Sequence, residues 1–294
     1  MSDSQGKLFR KQVTQHAPVP VLGTINAYSA LLAQSAGAHL LYLSGAGVAN
    51  ASYGLPDLAM TSLPEVLEDA RRITSACNIP LLVDIDTGWG HAFNIARTVQ
   101  QMERARVAAI HIEDQINAKR CGHRPNKAIV SLQEMGDRIK AAVDARTDPD
   151  FVIMARTDAY AVEGMQSAIE RAQYCIELGA DMLFPEAITT LEEYQTFCAA
   201  TPAPVLANIT EFGKTPLFTQ QQLKQVGVQL VLYPLSAFRS MSKAALTTYQ
   251  TIIQQGTQQA MVEQMQTRAD LYQILDYEAY EKKLDQMREN NHGK

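Results

Sequence analysis

Cysteine is scarce in this chain: four among 294 residues (Cys77, Cys121, Cys175 and Cys198), with no CxxC pair. That excludes a disulfide framework and offers no zinc-type spacing. Tryptophan occurs once, as Trp89. No apolar run reaches the roughly 18 residues of a membrane span, and the opening MSDSQGKLFRKQ holds no signal-type hydrophobic stretch. The expected location is cytoplasmic, with no membrane partner. Positive charge is not in excess either. A formal net charge of −5 argues against a nucleic-acid-binding face. GxGxxG and GxxxxGK[ST] are absent, which weakens nucleotide-binding readings.

What is present is an ordinary core-forming composition, 46% hydrophobic and 19% charged. The length suits two domains, or one α/β barrel of roughly 250 residues with additions. Eight short apolar runs decide between them: 19–24, 40–43, 80–85, 107–112, 151–155, 181–184, 204–207 and 228–232. Near-continuous hydrophobicity over strand length is what a parallel sheet covered by helices requires. Most intervals carry helical spacing, as in 131–145, 165–178 and 219–226. A faint repeat (AGAHLLYLSG, ARVAAIHIED, LGADMLFPEA, VGVQLVLYPL) places Gly37, Gly179 and Gly227 where helix C-caps would fall. The expectation is an α/β fold, a (β/α)8 TIM-type barrel spanning 1–294 as a single domain. Residues 237–255 would form its last helix, and 260–288 a further helical segment within a C-terminal extension.

Polar residues gather just after the runs: Asn26, Ser44, Asp84 and Asp86, His111, Glu113 and Asp114, Arg156 and Asp158, Glu186, Asn208 and Thr210, and Ser236. Barrel enzymes carry out their chemistry at this end of their strands. Two long intervals, GAGVANASYGLPDLAM and DQINAKRCGHRPNKA, are candidates for loops closing over a ligand. Asp84 and Asp86, two apart at a strand end, fall on one face. Such a pair caps neighbouring helices, pairs with arginines or holds a cation; with Glu113 on the next strand the cation reading is favoured, and an oxygen-only set suits Mg²⁺ or Mn²⁺. The loop Lys119-Arg120-Cys121-Gly122-His123-Arg124 concentrates positive charge in an acidic chain and suits an anionic ligand. Cys121, flanked by cations, is expected to be reactive. Cys77, Cys175 and Cys198 have apolar neighbours and read as core fillers. A strand-end arginine more often pairs with a neighbouring acid than binds ligand, but Arg156, Arg239 and Arg268 around one mouth would suit a substrate with several carboxylates.

KRCGHRPNK after IHIEDQ, with VDIDTGWG upstream and MARTD, FPEA and NITEFG downstream, closely resembles the isocitrate lyase/phosphoenolpyruvate mutase superfamily. The resemblance runs from GTINAYSALLAQ to MQTRADLY, and GAG stands after Ser44 where the pattern has GGG. It is nearest to the branch that cleaves 2-methylisocitrate to pyruvate and succinate in the methylcitrate cycle. It implies a barrel whose eighth helix is exchanged between neighbours of a homotetramer. It also implies that Asp84 and Asp86 hold Mg²⁺, with Glu113 and Asp57 steadying its waters. Ser44, Gly45, Ala46, Cys121, Gly122, His123, Arg156, Glu186, Asn208, Ile209, Thr210, Arg239 and Arg268 would enclose a small tricarboxylate. Cys121 would be the proton donor in a retro-aldol type cleavage, and Tyr42 a member of the base relay. Phe184 and Leu232, apolar at strand ends, are candidates for a methyl pocket or for plain core packing.

Three alternatives stand beside this reading. Isocitrate lyases share a similar loop but are much longer. The decarboxylases and mutases of the superfamily lack the cysteine loop. A non-catalytic binding barrel would be expected to have lost a metal carboxylate or the thiol.

Overall fold

The structure, a computed structural model, describes residues 3–119, 122–123 and 127–292, with side chains as far as 288. All eight apolar runs are strands: β1 (Val19–Gly23), β2 (Leu40–Leu43), β3 (Leu81–Asp84), β4 (Ala109–Glu113), β5 (Val152–Thr157), β6 (Met182–Pro185), β7 (Leu206–Asn208) and β8 (Leu230–Tyr233). They pair in parallel in the order β6-β5-β4-β3-β2-β1-β8-β7. A parallel bridge from Leu183 to Val205 links the two ends of that order and closes the ring.

Side-chain alternation divides each strand between two cores. Val19, Val21, Leu40, Tyr42, Leu82, Ala109, Val152, Met154, Met182, Phe184, Leu206, Leu230 and Leu232 form one buried cluster. Residues of one parity from all eight strands can meet only inside a closed barrel. The opposite parity, including Leu41, Leu43, Val83, Ile110, Ile112, Ile153, Leu183 and Val231, packs outward against the helices. Helices Leu132–Ala145, Met165–Glu177 and Gln220–Gln225 lie where the helical spacing predicts them. Gly37, Gly179 and Gly227 turn left-handed at φ 85°, 101° and 89°, ending a helix before β2, β6 and β8.

Two features depart from the sequence expectation. Helix Gln5–His16 has no counterpart in it. Its buried apolar residues, Phe9 and Val13, join the inner cluster, and Arg10 donates to the Asp150 carbonyl just before β5 at 2.8 Å. The helix therefore closes the end of the barrel opposite the strand tips; burying Phe9 alone is worth about 1.5–3 kcal/mol. The interval after β2, expected as a plain loop, winds into a helical turn (Gly45–Gly47) and a π-helical turn (Val48–Ser52).

The chain divides into two compact units, Met1–Phe238 and Arg239–Lys294. Beyond helix Ser236–Gln255, the second unit holds a 3₁₀ turn (Gln259–Gln264) and helices Arg268–Ile274 and Tyr277–His292, so the segment expected as one stretch is three pieces. No described helix is long and apolar enough to cross a membrane.

Candidate active site

The parity that fills the barrel with apolar side chains turns charged at the strand tips. Register sets Asp84 beside His111, Glu113 beside Arg156, and Arg156 beside Phe184. Arg156 is the hub. Its guanidinium lies 3.1 Å from Glu113 Oε2, 3.0 Å from Asp158 Oδ2 and 3.4 Å from Glu186 Oε2, 5.2 Å above the Phe184 ring. Burial lowers the Arg156 pKa, but the carboxylates of Asp158, Glu113 and Glu186 outweigh it and hold the charge firmly in place. Burial raises the Glu186 carboxyl in turn, and Arg156 and His123 overcome this to leave it well below the carboxylate range.

Tyr42 Oη lies 2.9 Å from His111 Nε2, and the same nitrogen is 3.6 Å from Asp84 Oδ1. Burial pushes His111 down to about 4, so the imidazole is neutral at pH 7. The Tyr42 hydroxyl is held well above its ordinary pKa by burial and by the Asp84 carboxylate. Phe184 meets His111 edge-on, with centroids 5.2 Å apart. Phe184 and Leu232 both belong to the inner cluster, Leu232 in register with Asn208.

Asp84 and Asp86 converge, but by a turn rather than by strand alternation. β3 ends at Asp84, and Asp86 sits at φ 49°. That left-handed conformation is held because the Asp86 N–H donates to Asp84 Oδ1 (3.0 Å) and its carbonyl accepts from the Glu113 N–H (2.9 Å). A Cβ placed on Gly45 would lie 3.2 Å from Asp84 Oδ2 and 3.3 Å from Asp86 Oδ1, so both carboxylates face one point. Burial, with Asp84 adding to it, raises Asp86 to about 6, and burial holds the Glu113 carboxyl well above its usual range. Glu113 Oε1 is buried without a hydrogen-bond partner. Lys119 answers part of this charge, 2.8 Å from Asp86 Oδ1 and 2.5 Å from Asp57 Oδ1.

Among the described residues no three acidic, His or Cys side chains form a ready-made ligand set. A crowded, oxygen-only cluster with an orphaned carboxylate oxygen nevertheless fits a hard dication such as Mg²⁺, which keeps several waters and takes one or two carboxylates.

Gly122 and His123, in the stretch after β4, lie against the far strands. A Cβ on Gly122 would fall 2.5 Å from Glu186 Cγ and 2.6 Å from Arg156 Nη2, so only glycine lets the backbone come this close. His123 Nδ1 accepts from the Lys214 N–H at 3.0 Å. That leaves the imidazole proton on Nε2, 3.2 Å from Glu186 Oε1. Asn208 Nδ2 donates to both oxygens of Glu186 at 3.3 Å. Cys121, with Arg120 and Arg124, lies outside the described residues.

The other expected site residues separate. Ser44 is buried at the tip of β2, Ala46 lies on the helical turn that follows, and the Gly45 N–H donates to Asp84 Oδ2 at 3.1 Å. Thr210 is buried beyond β7. The Ile209 side chain belongs to the outer core and its N–H donates to the Leu232 carbonyl. Arg239 and Arg268 belong to the second unit. Cys77 and Cys175 are buried, and burial pushes the Cys175 and Cys198 thiols up to about 12.

Two residues escaped the sequence reading. Lys119, which the sequence assigns to an anionic ligand, and Lys127, which no motif marks, are both internal cations of the site. The signal was available in charge arithmetic. Asp84, Asp86, Glu113, Asp114, Asp158 and Glu186 stand at the strand tips against the single Arg156. Buried carboxylates in that excess require further cations.

A parallel barrel whose mouth carries paired acids, a central arginine and a crossing loop is the arrangement of a lyase- or mutase-type enzyme, and the chain belongs to the phosphoenolpyruvate phosphomutase family, which it matches over residues 9–253. Within that family it is 61% identical to 2-methylisocitrate lyase of Vibrio cholerae serotype O1, over 98% of this chain and 95% of the relative. It is 60% identical to 2-methylisocitrate lyase of Escherichia coli K12, over 97% and 96%. The crystal structure of 2,3-dimethylmalate lyase, a phosphoenolpyruvate mutase/isocitrate lyase superfamily member, superposes with a TM-score of 0.89 at 29% identity, covering 98% of this chain and 96% of that one.

Proposed function

We propose that this protein is a carbon–carbon lyase that cleaves 2-methylisocitrate to pyruvate and succinate in the methylcitrate cycle. The observation that carries this is near-full-length identity of 57–61% to 2-methylisocitrate lyases. The mouth geometry supports it, because each step has a group of suitable chemistry. Asp84 and Asp86 would hold the metal, Mg²⁺ by their oxygen-only chemistry and Mn²⁺ as a substitute, with Asp57 and Glu113 around its waters. Bound there, the ion would polarise the substrate hydroxyl and the carboxylate next to it.

The residues of the chain divide the remaining work. Tyr42 takes the hydroxyl proton as it passes its own phenolic proton to Nε2 of neutral His111, 2.9 Å away. Arg156, fixed by three carboxylates, meets the negative charge that develops as the carbon–carbon bond breaks. Ser44, Gly45, Ala46, Gly122, His123, Glu186, Asn208, Ile209 and Thr210 enclose the substrate. Arg239 and Arg268 complete the cage. Cys121, as its thiol, protonates the carbanion-like succinate half.

The working assembly is a cytoplasmic homotetramer with its eighth helix exchanged. Helix Ser236–Gln255 supports this: none of its side chains is buried, and Leu246, Tyr249 and Ile253 are 51%, 64% and 82% exposed.

The test is pyruvate release from 2-methylisocitrate and from isocitrate in the presence of Mg²⁺. A pocket for one methyl group is worth about 10–200-fold in kcat/KM, and 2-methylisocitrate should be preferred on that scale. Leu232→Phe should erode the preference. Equal kcat/KM for the two substrates in the wild type would assign the chain to isocitrate cleavage instead.

A further inference from the structure

The loop after β4 rises from a neck and returns to it. Gln115 and Ile129 form an antiparallel bridge, and the Ile116 N–H donates to the Ala128 carbonyl at 3.0 Å. Lys127 stands at that neck, 9% exposed. Its Nζ turns back into the site, 2.7 Å from the Gly122 carbonyl and 2.5 Å from Asp158 Oδ1. Asp158 is wholly buried and is the carboxylate that also holds Arg156 Nε. Asp158 is itself immobilised: its N–H donates to Asp114 Oδ1 at 2.8 Å, and Asp114 Oδ2 accepts from Thr157 Oγ1 at 2.7 Å. One ammonium therefore bridges the backbone of the crossing loop and the anchor of the central arginine. It does so beside Gly122, where even a methyl group would collide with Arg156 and Glu186.

We infer that Lys127 is a positioning residue: it seats the Gly122 backbone against Arg156 and Glu186, and through Asp158 ties that seating to the orientation of Arg156. This rests on the lyase reading above for its catalytic consequence, but the tie itself can be measured without substrate. Nearby interactions of other kinds hold other parts of the loop, Lys119 on Asp57 and Asp86 and His123 on Glu186 and the Lys214 N–H. Lys127 alone among the described lysines grips a loop carbonyl and the arginine's carboxylate together.

The experiment compares wild type, Lys127→Met and Lys127→Arg in the full-length protein by three readouts. These are the unfolding midpoint, hydrogen exchange at the Gly122 and His123 amides, and kcat/KM for pyruvate release from 2-methylisocitrate. Lys127→Met should speed exchange at both amides by about tenfold or more, as local opening becomes easier. It should also lower kcat/KM by about 10²-fold, the scale of a misplaced catalytic geometry, measured well below an unfolding midpoint that falls because buried Asp158 loses a partner. Lys127→Arg, which keeps the charge and a donor for each partner, should recover part of both losses. Unchanged exchange at Gly122 and His123 in Lys127→Met overturns the tie. Faster exchange with unchanged kcat/KM overturns the positioning role. If Lys127→Met does not fold, Lys127→Gln, which keeps one donor, is read by the same criteria. A wild type that releases no pyruvate would refute the lyase reading, and the exchange measurement would still decide the tie.

Discussion

The two ends of the same eight strands have opposite characters. At the end closed by helix Gln5–His16, the inward positions are Val19, Leu40, Val152 and Leu230, all fully buried and apolar. Two to six residues further along, the same inward parity carries Asp84, His111, Glu113, Arg156, Asp158 and Glu186, also buried but charged or polar. The closed end gains free energy from area removed from water, about 25 cal/mol per Å² of apolar surface. The mouth opposes that gain, because desolvating its carboxylates and their cations costs more than it returns unless every partner is in place. One end is therefore built to be stable and the other to be reactive. The barrel holds the second in a geometry it would not adopt alone.

If that division is right, removing the metal should have the largest effect on function and little on the fold. Protein stripped with EDTA should release no pyruvate, and Mg²⁺ or Mn²⁺ should restore it. Full turnover in a verified metal-free sample would end the metal assignment. At the closed end, Leu230→Ala should cost about 2–5 kcal/mol of stability, the usual range for truncating a buried leucine, with KM unchanged in the folded enzyme. Urea denaturation beside steady-state kinetics would separate the two quantities.

A third substitution divides the thiols between the two characters. Cys121→Ser should lower kcat by about 10²-fold, the scale of a lost general acid, with little change in melting temperature. Cys175→Ser should leave kcat near wild type and lower the melting temperature, since that thiol is a buried filler. The reverse pattern would remove Cys121 from the chemistry.

A last effect, on stability against pH, concerns Asp86, whose carboxyl is raised to about 6 in the fold against about 3.9 in an unfolded chain. Because the folded state holds its proton more tightly, this group makes the metal-free protein less stable as pH rises from about 4 to about 6. Asp86→Asn should flatten that decline, by roughly 3 kcal/mol at most, and so should saturating Mg²⁺. Melting temperatures of the metal-free protein between pH 4 and 7 would show it; an identical slope in Asp86→Asn would locate the pH dependence elsewhere.

Much of the site was legible before any fold was known, because its residues occupy strand tips and strand tips can be found from apolar runs. Asp84, Glu113, Arg156, Glu186 and Asn208 were recognisable in this way. Helix Gln5–His16 was not, because two buried apolar residues in twelve leave no periodic stripe. Lys127 was not, because nothing local marks a lysine whose partners are a carbonyl five residues away and a carboxylate thirty-one residues away. The left-handed turn at Asp86 was also hidden: strand parity gave the right convergence for a different geometric reason.

By itself, the sequence determined the alternation of buried strand and amphipathic helix, and with it the closed parallel barrel and the end at which chemistry would gather. Those properties rest on periodicity and on the chirality of βα crossovers, which act over one or two elements. Tertiary structure alone decided which charges meet. Arg156 could have paired with any of six carboxylates; the ring of register gives it Glu113, Asp158 and Glu186. His111 could have been a cation or a neutral base, and complete burial beside Tyr42 makes it neutral. Electrostatic energy at low dielectric depends on distances of a few ångströms between residues far apart in the chain, and those distances exist only once the barrel has closed.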